Sequence, residues 1–203
     1  MESGKLAGVA DEGGFWPQFD SNEAALEMLV RSIERAGFVP GDEVAISLDI
    51  AASELGRDGR YRLALDDREL DRDAMIELVI KWLDRYPIAS IEDPLAEDDA
   101  EGMTGLTRAV GHRVQVIGDD FLVTSAARVA EALQQGACNA VLIKPNQAGT
   151  LTETRAALEA GRHAGWGTIV SARSGETEDV SIAHLAVGWN AGQLKVGSFA
   201  RSE

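Results

Sequence analysis

Five charged residues stand at the ends of short apolar runs: Asp49, Glu92, Asp119, Lys144 and Lys195. The runs before them read Val-Ala-Ile-Ser-Leu, Ile-Ala-Ser-Ile, Val-Gln-Val-Ile-Gly, Ala-Val-Leu-Ile and Gln-Leu. Three acids in succession with no histidine or cysteine beside them form an oxygen-only donor set. Such a set suits a hard divalent cation, Mg²⁺ rather than Zn²⁺. Taken singly, each acid is as readily a helix cap or a surface ion pair. The succession of three, followed by two lysines, is what argues for a site. A lysine serves as a base only as a neutral amine, and neighbouring cations favour that form. The residues therefore suggest a metal plus a base.

These residues need elements that bring them together. Each run is too short for a helix and most are rich in β-branched residues, so they read as buried parallel strands. From Glu92 to Lys144 the charges lie about 25 residues apart, the length of one strand, one helix and two short loops. Six strand-like runs can be counted, near 44–49, 88–92, 114–118, 140–143, 167–171 and 193–196. Amphipathic helices are expected over about 74–86, 101–110, 126–135, 152–164 and 178–188, with an earlier one opening at Asp20-Ser21-Asn22. The alternation predicts an α/β fold of (β/α) barrel type, whose strand ends share one open face where catalytic groups collect. A closed barrel needs eight strands, so the expectation is a single, incomplete barrel domain over 1–203.

Other stretches carry their own expectations. Arg57-Asp58-Gly59-Arg60 has hairpin-turn chemistry and predicts a small surface hairpin after the second helix's preceding strand. Asp11-Glu12-Gly13-Gly14 predicts a loop, and Glu97-Asp98-Asp99 a solvated charge run. A net charge of −15 argues against nucleic acid and anionic membrane surfaces. Cys138 is the single cysteine and predicts a small buried residue, with no intrachain disulfide. No run approaches membrane-spanning length and the first residues lack a signal-peptide core, which predicts a cytoplasmic location.

Beyond these readings, ordered stretches bear a specific likeness: Asp11-Glu-Gly-Gly, Leu48-Asp-Ile-Ala-Ala-Ser-Glu, Ser90-Ile-Glu-Asp-Pro, Gly118-Asp-Asp, Leu142-Ile-Lys-Pro-Asn-Gln, Gly165-Trp-Gly, Arg173-Ser-Gly-Glu-Thr-Glu-Asp, Gln193-Leu-Lys and Ala200-Arg-Ser-Glu. With them the chain resembles the enolases, the phosphopyruvate hydratases of glycolysis, over nearly its whole length. The resemblance implies an enolase-type barrel, here with strands three to eight, and a capping domain outside this sequence. It implies Mg²⁺ held by Asp49, Glu92 and Asp119, with Lys144 removing the C2 proton of 2-phosphoglycerate. It implies Glu12 as the acid that helps the C3 hydroxyl leave. Lys195 would meet the substrate carboxylate, and Ser171, Arg173 and Ser174 would bind substrate at the phosphate loop, with Glu12, Glu92, Asp119 and Lys144 also contacting it. The partner implied is a small phosphorylated carboxylate, and the full-length parent is expected to be a homodimer.

One position departs from the pattern. Where the family carries a histidine between Ser171 and Arg173, this chain has Ala172. The alternatives are an enzyme for another phosphorylated or phosphono-carboxylate, or a noncatalytic truncated homologue. His112, His163 and His184 fall in helical or connecting segments and are poor substitutes. An open barrel also leaves a parallel edge unpaired, so the isolated chain is expected to be unstable with little turnover.

Overall fold

In the computed structural model, residues 6–10, 13–174 and 179–196 are described. Its centre is one sheet of six parallel strands: β3 (Ile46–Asp49), β7 (Ile88–Glu92), β8 (Gln115–Gly118), β9 (Ala140–Ile143), β10 (Gly167–Ser171) and β11 (Gly192–Lys195). The order across the sheet is β11-β10-β9-β8-β7-β3, so neighbours in sequence pair in space and every crossover carries a helix. All six expected strands are present. Two short antiparallel strands, β1 (Leu6–Val9) and β2 (Phe15–Pro17), form a separate hairpin ahead of them.

The pleat divides the sheet residues between two faces. Ile91, Val116, Val141, Ile143 and Val170 pack beneath the helices in the main core. Ile117, Ala140, Leu142 and Ile169 form a second, smaller cluster. That second cluster marks the concave face. A cavity of about 460 Å³ opens there, lined by Ser47, Ser90, Ile117, Ile169 and Gln193, with Glu92 and Lys195 among its walls. Gly167 makes the close packing of this face possible: a Cβ there would fall 2.0 Å from Gln115 Nε2. The sheet is curled and open, holding six of the eight strands of a closed barrel.

The covering helices begin where side-chain oxygens can satisfy their free N–H groups. Ser21 caps α1 (Asn22–Arg35), Asp71 caps α2 (Arg72–Arg85), Asp99 caps α3 (Ala100–Val110), Ser125 caps α4 (Ala126–Gln135) and Thr150 caps α6 (Leu151–His163). Gly136 ends α4 with φ +68°, the left-handed conformation that closes a helix. A short helix absent from the expectations, α5 (Pro145–Ala148), follows β9 directly because Pro145 is pre-set for a first helical turn. The last helix, α7 (Ser181–Gly188), starts later than 178, and residues 175–178 lie outside those described. Cys138 is buried, and burial raises its thiol pKa well above the usual range.

Two expectations need correction. The hairpin after β3 is a three-stranded antiparallel sheet, β4 (Gly56–Arg57), β5 (Arg60–Leu63) and β6 (Arg68–Asp71). The third strand is short and charged, so its alternation is masked in sequence. The acidic run at 97–99 is not uniformly solvated: Asp99 is 1% exposed. It accepts the Tyr61 hydroxyl at 2.8 Å and the Gly102 N–H at 2.9 Å, and it pairs with Arg72 at 2.6 Å. Two hydrogen-bond donors and the charge of Arg72, from three elements, repay its desolvation.

Candidate active site

Strand alternation places the charged residues of consecutive strands on the concave face at one end of the sheet. Asp49 ends β3, Glu92 ends β7, Asp119 follows β8, Lys144 follows β9, Ser171 ends β10 and Lys195 ends β11. Lys195 Nζ lies 2.6 Å from Asp49 Oδ2 and 2.7 Å from Glu92 Oε1. Within the described sheet β11 and β3 are opposite edges. One side chain thus spans the concavity, which only a strongly curled sheet allows. Lys144 Nζ pairs in turn with Asp119 Oδ2, both side chains being nearly buried.

The electrostatics follow from burial and crowding. Burial first, and then the charge of Asp49, raise Glu92 to about 8 against the pull of Lys195. Burial opposes the charge on Lys195, but Glu92 and Asp49 outweigh it and hold the ammonium above its ordinary value. Burial pushes Asp93 up to about 7, although the Asp119 and Asp120 N–H groups favour its charged form. Asp120 is raised by burial and by Asp119, with Lys144 and Arg173 partly offsetting the rise. Acids raised in this way hold their protons until positive charge arrives.

Among the described residues, the oxygens of Asp93, Asp119 and Asp120 lie within 4.8 Å of one another. This group differs from the expected Asp49, Glu92 and Asp119. Asp49 and Glu92 close on Lys195 instead, and Asp119 is common to both sets. Within the tight group the roles are unequal. Asp93 has φ +38° and receives the Asp119 N–H at 2.9 Å and the Asp120 N–H at 2.7 Å, one on each oxygen. It is therefore a clamp on the loop after β8. Asp119 Oδ1 is buried and has no hydrogen-bond partner among the described residues. An orphaned carboxylate oxygen amid other carboxylates fits a bound divalent cation.

The remaining residues are distributed as follows. Ser171 is buried and its hydroxyl donates to the Ala172 carbonyl at 3.0 Å, while Arg173 and Ser174 are exposed just beyond β10. His112, His163 and His184 are all exposed, on or next to helices. Glu12 lies outside the described residues. Asp93 and Asp120 escaped the sequence reading, though a signal existed: at Glu92-Asp93 and Asp119-Asp120 the acids are doubled. On a pleated strand only one of two neighbours faces the site, so the second must serve elsewhere.

Residues 2–203 match the family model of the enolase C-terminal TIM barrel domain. The chain belongs to the enolase family. Its membership accounts for the parallel α/β sheet with helices on its outer face. An enolase-family domain of this kind is a lyase scaffold acting on a small molecule. Its acidic group could hold a metal ion. No helix among the described residues is long and apolar enough to cross a membrane.

Proposed function

We propose that this enolase-family domain carries the Mg²⁺-dependent dehydration of 2-phosphoglycerate to phosphoenolpyruvate, reversibly, as in glycolysis and gluconeogenesis. The observation that carries the reading is the pairing of Lys144 with Asp119 beside an orphaned, buried Asp119 oxygen. It puts a lysine and a buried oxygen suited to a cation on one carboxylate. Asp119, Glu92 and Asp49 are the residues that would hold Mg²⁺. When bound, the ion supplies positive charge to meet the charge that develops on the substrate carboxylate.

The chain's own residues have separate tasks. Lys144, as a neutral amine, takes the C2 proton. Glu12 gives a proton to the C3 hydroxyl, which leaves as water while the C2–C3 double bond forms. Lys195 binds the substrate carboxylate, for which it must exchange one of its two carboxylate partners. Ser171, Arg173 and Ser174 hold the phosphate, with Arg173 suited to paired contacts with its oxygens. The test is phosphoenolpyruvate formation from 2-phosphoglycerate, followed at 240 nm. It is run on this chain and on the chain joined to a family capping domain with the first two barrel strands. Turnover that needs Mg²⁺ and Lys144 supports the proposal, whereas Mg²⁺ binding without product in the joined protein overturns it.

Ala172 favours a second reading. Its methyl cannot hydrogen-bond a substrate where the family's histidine would, and the three histidines elsewhere are exposed on or beside helices. A related phosphorylated or phosphono-carboxylate that makes no demand at that point would suit such a pocket. Turnover of such an analogue in preference to 2-phosphoglycerate would decide for it.

A further inference from the structure

Val123 and Thr124 are consecutive β-branched residues with φ of 45° and 52°. Such side chains rarely occupy this region because Cβ crowds the backbone. Strain of this kind persists where surrounding contacts over-determine it. Starting α4 does not require it, since Ser125 supplies that cap. The contacts converge elsewhere, on Lys144.

The turn opens at Asp119, whose carbonyl accepts the N–H groups of Leu122 at 3.1 Å and Val123 at 2.7 Å. It closes at Thr124, which is 3% exposed. The left-handed corner turns the Thr124 hydroxyl toward β9, where Oγ1 accepts the Lys144 N–H at 3.0 Å and donates to Gln147 Oε1 at 2.6 Å. On the other side, the Lys144 carbonyl accepts the N–H groups of Gln147 at 3.0 Å and Ala148 at 3.2 Å. The Lys144 backbone is thereby held from both directions while its Nζ meets Asp119. One short turn carries the acid at its start and the anchor of the lysine at its end.

We infer that Thr124 is a positioning residue for Lys144. Its hydroxyl fixes the lysine's backbone, and the strained Val123–Thr124 corner sets the Lys144 amine against Asp119. The inference rests on the reading of Lys144 as the base. A misplacement of the base by about 1 Å costs up to about 100-fold in rate without removing any substrate contact.

Thr124→Val keeps the shape and removes the hydroxyl, whereas Thr124→Ser keeps the hydroxyl. In the chain joined to a family capping domain and the first two barrel strands, with Mg²⁺ and 2-phosphoglycerate, Thr124→Val is expected to lower kcat by about 10–100-fold with KM changed less than about threefold. Thr124→Ser is expected to stay close to the wild type. If Thr124→Val does not fold, Gln147→Met removes the acceptor that orients the hydroxyl and should give a smaller loss, again in kcat. Amide hydrogen exchange by NMR supplies a readout that needs no turnover. The Lys144 amide should lose protection in Thr124→Val and keep it in Thr124→Ser, with melting temperatures close to the wild type. Full kcat in Thr124→Val, equal damage in Thr124→Ser, or unchanged protection at Lys144 would overturn the inference. A wild type inactive on 2-phosphoglycerate sinks the functional reading alone, and the exchange comparison then decides the positioning role.

Discussion

At the scale of single residues, the site is a balance of three carboxylates against two lysines, tilted by burial. On the proposed function, Lys144 is the residue on which turnover would depend. Lys144→Ala should lower kcat by roughly 10²–10⁴-fold, with Mg²⁺ binding by calorimetry retained because the carboxylates remain. Equal losses of Mg²⁺ affinity and rate would assign Lys144 a structural role instead. Glu92 makes a prediction about pH. Its folded value of about 8 stands above the ordinary 4.5, so between those values the metal-free folded chain holds a proton that the unfolded chain has released. Stability from this proton is complete below pH 4.5 and is lost as pH rises through 8. Asp93, raised to about 7, acts in the same direction. In EDTA the melting temperature should therefore fall between pH 6 and 8.5. Glu92→Gln, which has no proton to lose, should flatten that fall, and an unchanged slope would count against the buried protonated acid.

At the scale of elements, the strands, their parallel order and the cap of the first helix were legible in sequence because they rest on local rules. Short apolar runs ended in charge, and Asp20-Ser21-Asn22 stood where free N–H groups needed an acceptor, which Ser21 supplies. What was illegible depends on contacts far apart in the chain. Asp99 read as a solvated acid because its partners, Tyr61 in the inserted sheet and Arg72 at the start of α2, lie 27 or more residues earlier. Asp93 and Thr124 likewise looked unremarkable until β8 and β9 were placed beside them. The Asp99 cluster gives a test at this scale. Asp99→Ala removes an N-cap, worth about 1 kcal/mol, and a charged acceptor for Tyr61, worth about 1.5–3 kcal/mol. A loss of roughly 2–4 kcal/mol is expected in urea unfolding, while Glu101→Ala, on an exposed partner of Arg72, should cost under about 1 kcal/mol. Similar effects from the two would show that the insert is not clamped through Asp99.

At the scale of the whole molecule, Lys195 is the element of closure. The sheet's two described edges, β3 and β11, share no backbone hydrogen bonds, and the Lys195 ammonium joins β11 to β3 through Asp49 and to the neighbouring β7 through Glu92. Well above pH 8, where Glu92 is ionised, Lys195→Met removes that bridge and leaves two like charges facing each other across the concavity. Lys195 is about one-third exposed, so solvent screens part of the bridge and its contribution is set at about 1 kcal/mol. For a chain of this length that corresponds to a melting-temperature loss of about 2–4 °C in EDTA. A divalent cation at the same carboxylates relieves the repulsion, so saturating Mg²⁺ should restore most of the loss in Lys195→Met. The wild type should gain less from Mg²⁺, because its ammonium already neutralises part of the same charge. Measured by differential scanning calorimetry, a larger Mg²⁺-dependent gain in the variant than in the wild type ties the curl of the sheet to the charge at its open end. Equal gains would mean that Lys195 and the cation act at independent places, and the shared site would have to be abandoned.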